Sequence, residues 1–240
     1  MDSAVLDKAQ DGWNLEATRP LHHKAGAQPG TVESGNHYVD ISTDVDDRVW
    51  IGVHFGSRGF GHGIATWFLK HAGARDIMDV DPCVLDVNRD LGSQYLLAMQ
   101  LAGAYACARR DWVCDCVAKI LRAEIVEVIH NHHYFVLHER MWRWDVVGCS
   151  QRGNAGISRR ERICRRLDGE QSVILEGVEN ENAKYGLYST VYGAGRAMGR
   201  REATGVYDRR SSECKRAGKV TQEMMRAWAD RSGIELRGGG

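Results

Sequence analysis

Histidines stand at or just beyond the ends of the segments most strongly patterned as strands. His37 lies at the start of "NHYVDI", His54 near the end of "RVWIGVHF", and His130, His132 and His133 crowd "HNHHYF" after "AEIVEVI". Neutral imidazole is the commonest transition-metal ligand, and strand ends hold such ligands at fixed separation. His37 and His54 with at least one of the three clustered histidines would make a nitrogen-rich metal site, although on spacing alone a strand histidine is more often structural. The stretch "GSRGFGHG" (Gly56 to Gly63) reads as a glycine-rich turn whose backbone N–H groups could wrap an anion. In "TVYGAGRAMGR", Tyr192 precedes Gly193, Ala194, Gly195 and Arg196. Small residues there allow close backbone approach, and on composition alone the tyrosine reads as a packed ring at a turn. Cys114 and Cys116 fall on different faces of a helix and read as ordinary buried or half-buried thiols.

These residues need elements to position them. "NHYVDI" (Asn36 to Ile41) and "RVWIGVHF" (Arg48 to Phe55) alternate apolar and polar residues as two strands, joined by the acidic turn "STDVDD". "IATWFLKHAGA" predicts a short helix ending near Gly73. Apolar residues at helical spacing predict a long helix from Asp90 to about Lys119, with Leu97, Leu101, Ala104 and Ala108 on one face. Further strands are expected over Ala123 to Ile129 and Ser172 to Val178, and a last helix over "TQEMMRAWADRSG", capped by Thr221 and stopped by Gly233. The first thirty residues show no clear period, and "HKAGAQPG" (His23 to Gly30) reads as a loop. Strands and helices mix without regular βαβ alternation, which predicts the α+β class.

The 240 residues suffice for one sizeable core, so a single domain over 1–240 is the expectation. Thirty-two basic and thirty-two acidic residues cancel, so a nucleic-acid partner would be held by local patches rather than by net charge. Seven cysteines without a framework spacing, and no signal-peptide pattern, point to a reducing cytoplasm. No apolar run approaches the ~20 residues needed to cross a bilayer, so no membrane partner is expected. Between Gln151 and Arg166 six arginines fall in sixteen residues with little apolar period. Such a run reads as a solvated face or as a basic RNA-binding patch.

Taken together, "TVESGNHYVDI", "VWIGVHFGSRGFGHGIA", "IHNHHYFVLHE", "SVILEGV" and "YSTVYGAGRAMGRREA" come in the order, and at about the spacing, of the RtcB-type RNA ligase family, and "GIELRGGG" is similar to a later family segment. The resemblance runs from about Gly30 to Gly240. It implies an enzyme that joins an RNA 3′-phosphate or 2′,3′-cyclic phosphate to a 5′-hydroxyl, using GTP and Mn2+, in tRNA splicing or RNA repair. Implied partners are tRNA halves or broken RNA with 3′-phosphate ends, and an archease-type activator. By the same resemblance His37 and His54 match metal ligands, and His133 the third when Glu139 is aligned with the family glutamate; His130, followed by Asn131, is the alternative. Asn36 matches a residue contacting the guanylate, and Asp40 stands where a guanine-site glutamate is usual. Gly193, Ala194, Gly195 and Arg196 match the "GAGR" bordering the guanylate. Tyr192 occupies the position of the histidine that accepts GMP.

The chain also departs from the family pattern. The family's aspartate and cysteine metal ligands, around a D-x-G-C-G motif, have no match here, nor does its C-terminal lysine that contacts guanine. The arginine-rich segment has a reading-frame explanation: "SQRGNAGISRR" admits codons that, read one nucleotide later, give "RKGATPAFPG", and "ERICRRLDG" then gives "NGFVGGSMG", both family motifs. One indel near Glu139 to Asp145 and a compensating one near Asp168 to Glu170 would place 140–170 out of frame, a hypothesis that the coding DNA tests: codons incompatible with the shift would sink it. The expectation is therefore a partial, impaired ligase domain of low solubility. A non-catalytic RNA- or nucleotide-binding remnant, and an unrelated metal-dependent hydrolase built on His37, His54 and His133, are the alternatives.

Overall fold

The computed structural model of the chain describes residues 11–32, 37–74, 83–130, 135–141, 144–150, 161–164, 173–176, 181–184, 198–208, 211 and 213–235. These fold into two compact units, 1–150 and 151–240. Helices and two-stranded antiparallel sheets mix along the chain, as the α+β class requires.

In the first unit, short 3-10 turns at Gly12–Asn14 and Arg19–Leu21 lead into helix α1 (His22–Ala27). Strands β1 (Tyr38–Thr43) and β2 (Val49–His54) form an antiparallel hairpin, with Tyr38 opposite His54 and Thr43 opposite Val49. Helix α2 (Arg58–His71) follows, then α3 (Asp90–Leu121). The core lies where these helices meet the N-terminal turns. Phe60, Ile64 and Phe68, spaced at i, i+4 and i+8 on α2, pack with Ala98 and Leu101 of α3 and with Ala17 and Ala25. Trp13 lies against Phe60, and Tyr105 meets Phe60 edge-on at 5.1 Å. A second hairpin, β3 (Phe135–Met141) with β4 (Trp144–Ser150), closes this unit.

In the second unit β5 (Glu161–Cys164) pairs antiparallel with β6 (Val173–Glu176). A short helix α4 (Arg200–Thr204) runs into β7 (Gly205–Tyr207), which pairs with β8 (Cys214–Ala217). Lys219 clamps this piece to α4, its Nζ reaching Glu202 at 2.6 Å and its backbone N–H donating to the Glu202 carbonyl. Helix α5 (Gln222–Arg231) begins at Thr221, whose hydroxyl accepts the Met224 N–H, and ends before Gly233 in the left-handed region.

Four local expectations are corrected. "HKAGAQPG" is largely helical, because Ala25 enters the core and Tyr105 Oη donates to its carbonyl at 2.6 Å. The glycine-rich stretch after β2 is not an open turn but the first two turns of α2. Gly63 lies where a Cβ would stand 2.9 Å from Leu21, so the missing side chain admits the N-terminal turns. The buried face of α3 runs through Ala98, Leu101, Ala106, Arg109 and Val113, and Ala108 is exposed. Residues 123–130 form no strand: α3 is ended by Arg122 in the left-handed region, and Val126 and Val128 beyond it are exposed.

Candidate metal and nucleotide site

The β1–β2 hairpin is graded along its length. Its turn is exposed, and its open end, carrying Tyr38 and His54, is half-buried. Strand alternation places Tyr38, Asp40, Gly52 and His54 on one face, since Tyr38 opposes His54 and Asp40 opposes Gly52. The Asp40 carboxylate folds across Gly52, occupying the space a side chain would fill. The Tyr38 and His54 rings stack, with centroids 5.3 Å apart and planes 6° from parallel. His37, immediately before β1, brings its ring to 6.3 Å from that of His54.

Two of the expected metal ligands are thus neighbours at one end of one hairpin. Imidazoles sharing an ion lie up to about 6.5 Å apart by centroid, from metal–nitrogen bonds near 2.1 Å plus each ring's own radius. The 6.3 Å separation is near that limit, which only a nearly linear N–metal–N arrangement reaches, so a shared ion would need the two rings to draw closer. Among the described residues there is no group of three or more histidine, cysteine or carboxylate side chains able to hold a metal. His133 lies outside the described residues, as do Asn36, Tyr192, Gly193, Ala194, Gly195 and Arg196. His130, the alternative third ligand, pairs with Asp111 of α3, Nε2 to Oδ1 at 2.9 Å. Asp40 falls on the His54 face, the only predicted nucleotide contact among the described residues.

The segment that follows His54 is held from behind. Arg109 of α3 is 2% exposed. Its Nη1 donates to the Gly56 carbonyl at 3.0 Å, and its Nη2 donates to the carbonyls of Gln28 at 3.0 Å and Thr31 at 2.8 Å. The guanidinium lies over the rings of Phe55 and Tyr105, at 4.8 and 5.6 Å from their centroids. Arg110 adds a bond to the Phe55 carbonyl at 3.0 Å, and its other nitrogen reaches Cys107 Sγ at 3.2 Å. Burial pushes the Cys107 thiol up, against the opposing pull of Arg110, so it stays protonated at neutral pH. Arg58, at the start of α2, donates to the Thr31 hydroxyl. Sequence reading missed this set. The available signal was Arg109 in the apolar series Leu101, Tyr105, Arg109, where a charged residue takes a core position.

The family model of the tRNA-splicing ligase RtcB matches residues 7–149, more than half of the chain and including both hairpin histidines. The chain belongs to the RtcB family. The RNA-splicing ligase RtcB of Escherichia coli is 26% identical over 84% of this chain. The tRNA-splicing ligases RtcB of Pyrococcus abyssi and Pyrococcus furiosus are 23% and 25% identical over 92% of it. The chain spans about half the length of the E. coli relative, 54%, and 29% of the P. abyssi relative. This RtcB-family chain has no helix, among its described residues, long and apolar enough to cross a membrane. A depression on the second unit, lined by Arg226, Ala229, Asp230, Gly233, Ile234 and Glu235, includes none of the predicted site residues.

Proposed function

We propose that this chain is a partial RtcB-type RNA ligase domain whose catalytic step is impaired. The reaction class is GTP- and Mn2+-dependent joining of an RNA 3′-phosphate or 2′,3′-cyclic phosphate to a 5′-hydroxyl, as in tRNA splicing and RNA repair. RNA with such ends, GTP and an archease-type activator are its partners, and the cytoplasm its compartment. The observation that carries the reading is the approach of His37 and His54 at the half-buried end of one hairpin, in a chain of this family.

In this reading His37, His54 and His133 would hold Mn2+, which would supply Lewis-acid stabilisation of charge on the transferring phosphoryl group. Asn36, Asp40 and Arg196 contact the guanylate, and Gly193, Ala194 and Gly195 let backbone come close to it. In the intact reaction a nucleophilic imidazole attacks the α-phosphorus of GTP and pyrophosphate leaves. The guanylate then passes to the RNA 3′-phosphate and departs as GMP when the 5′-hydroxyl attacks. Tyr192 stands in the imidazole's place. A phenol of pKa near ~10 is protonated at neutral pH and a poor nucleophile without a strong activating base. The displaced frame over 140–170 removes further family residues from the same domain.

Titration of the chain with Mn2+, read by the electron paramagnetic resonance signal of the free ion, tests the metal part. Binding should be saturable and weaken about 10-fold or more in His37→Ala and in His54→Ala, in line with removal of a ligand or its support. Affinity unaffected by both substitutions would overturn the assignment.

A further inference from the structure

Nothing in the composition of α3 marks it as part of the site, yet it supplies two arginines to the backbone that follows His54. Phe55 and Gly56 are the first two residues after that histidine, and their carbonyls accept from Arg110 and Arg109 respectively. Backbone at a strand-to-helix junction has carbonyls that neither ladder nor helix satisfies, so the path taken there depends on outside donors. Arg109 also binds the Gln28 and Thr31 carbonyls, which fastens the N-terminal turn to the same junction. Gly30 completes that turn. It is left-handed, with φ of +72°, and a Cβ on it would run into the Trp112 ring. The guanidinium serves the three carbonyls from two nitrogens held apart in one rigid plane, whereas the three donors of a lysine all leave a single nitrogen.

We infer that Arg109, assisted by Arg110, is a positioning residue for His54: it fixes the backbone leaving β2, and so the direction in which the imidazole is presented. The inference rests on the reading of His54 as a metal ligand, but the positioning itself does not. Arg109 reaches this junction through backbone carbonyls. It acts through the Gly56 carbonyl and through Phe55, whose ring it covers. Retention of charge alone should not suffice, because the bonds are to neutral carbonyls at three separate points.

Two readings on the full chain separate the claims. Amide hydrogen exchange of the metal-free protein, followed on peptides covering Val53–Arg58, should speed up 10-fold or more in Arg109→Lys, while exchange in α5 stays as in the parent. Mn2+ affinity of the same variant should fall about 10-fold. Unchanged exchange at Val53–Arg58 in a folded Arg109→Lys chain would overturn the positioning role. If the parent chain binds no Mn2+, the metal reading fails, and the exchange comparison still decides the positioning claim. Should Arg109→Lys not fold, Arg110→Met, which removes the bonds to the Phe55 carbonyl and to Cys107 Sγ, takes the same two measurements. A faster-exchanging Val53–Arg58 segment supports the role, and an unchanged one overturns it.

Discussion

Asp44 organises the turn that joins the two strands of the site hairpin. Its Oδ1 accepts the backbone N–H groups of Asp46 and Arg48, at 2.9 and 3.0 Å, and its Oδ2 accepts Arg48 Nε and Trp50 Nε1, both at 2.9 Å. The Trp50 N–H, followed by the backbone bonds and the Arg48 charge, lowers the carboxyl from 3.8 to about 2. A depressed folded-state pKa stabilises above the unfolded value, and the contribution disappears as pH falls from about 4 through about 2. The thermal midpoint of the parent should therefore exceed that of Asp44→Ala at pH 6, with the gap closing by pH 2. A gap independent of pH would contradict the assignment. The carboxylate is half-buried in a surface turn and its Arg48 partner is exposed, so the gap itself should be small.

At the level of elements, α2 carries the load of the first unit. Phe60 is fully buried and touches both Trp13 and Tyr105. Phe60→Ala should cost about 3–5 kcal/mol, read as a lower urea midpoint, whereas a loss within 0.5 kcal/mol, the range of ordinary surface substitutions, would contradict this packing. The two hairpin strands were legible because alternation over "NHYVDI" and "RVWIGVHF" reports a local, two-faced environment, and the long helix and the Thr221-capped helix near the end of the chain were legible for similar reasons. Less legible was anything fixed by contacts distant in sequence. Glycines in "SRGFGHG" suggested a turn, but they are helical because Leu21 and Lys24 approach that face. "AEIVEVI" has strand composition yet no ladder, since a strand needs a neighbour that local pattern does not specify. Of the site, the His37 and His54 positions were read from strand ends. The arginine clamp from α3 was not, because its acceptors are backbone carbonyls, which carry no sequence signature.

For the whole molecule, the family motifs lie in both units, and the proposed function asks them to act as one partial domain. The hairpin histidines belong to the first unit, and Tyr192 with the "GAGR" segment to the second. The proposed impairment is a property of this combination. In the proposed reading Tyr192→His supplies an imidazole but leaves the family residues expected over 140–170 missing, so Tyr192→His alone should not restore ligation. The most direct test of the account is incubation of the chain and of Tyr192→His with Mn2+ and α-labelled GTP, followed by denaturing electrophoresis and by an RNA-retention assay on the same samples. No covalent label is expected on the parent chain, with Mn2+ held through His37 and His54. Retained RNA without label would favour a binding remnant of the same family. A covalent guanylate on the parent chain would contradict the claim that its catalytic step is lost.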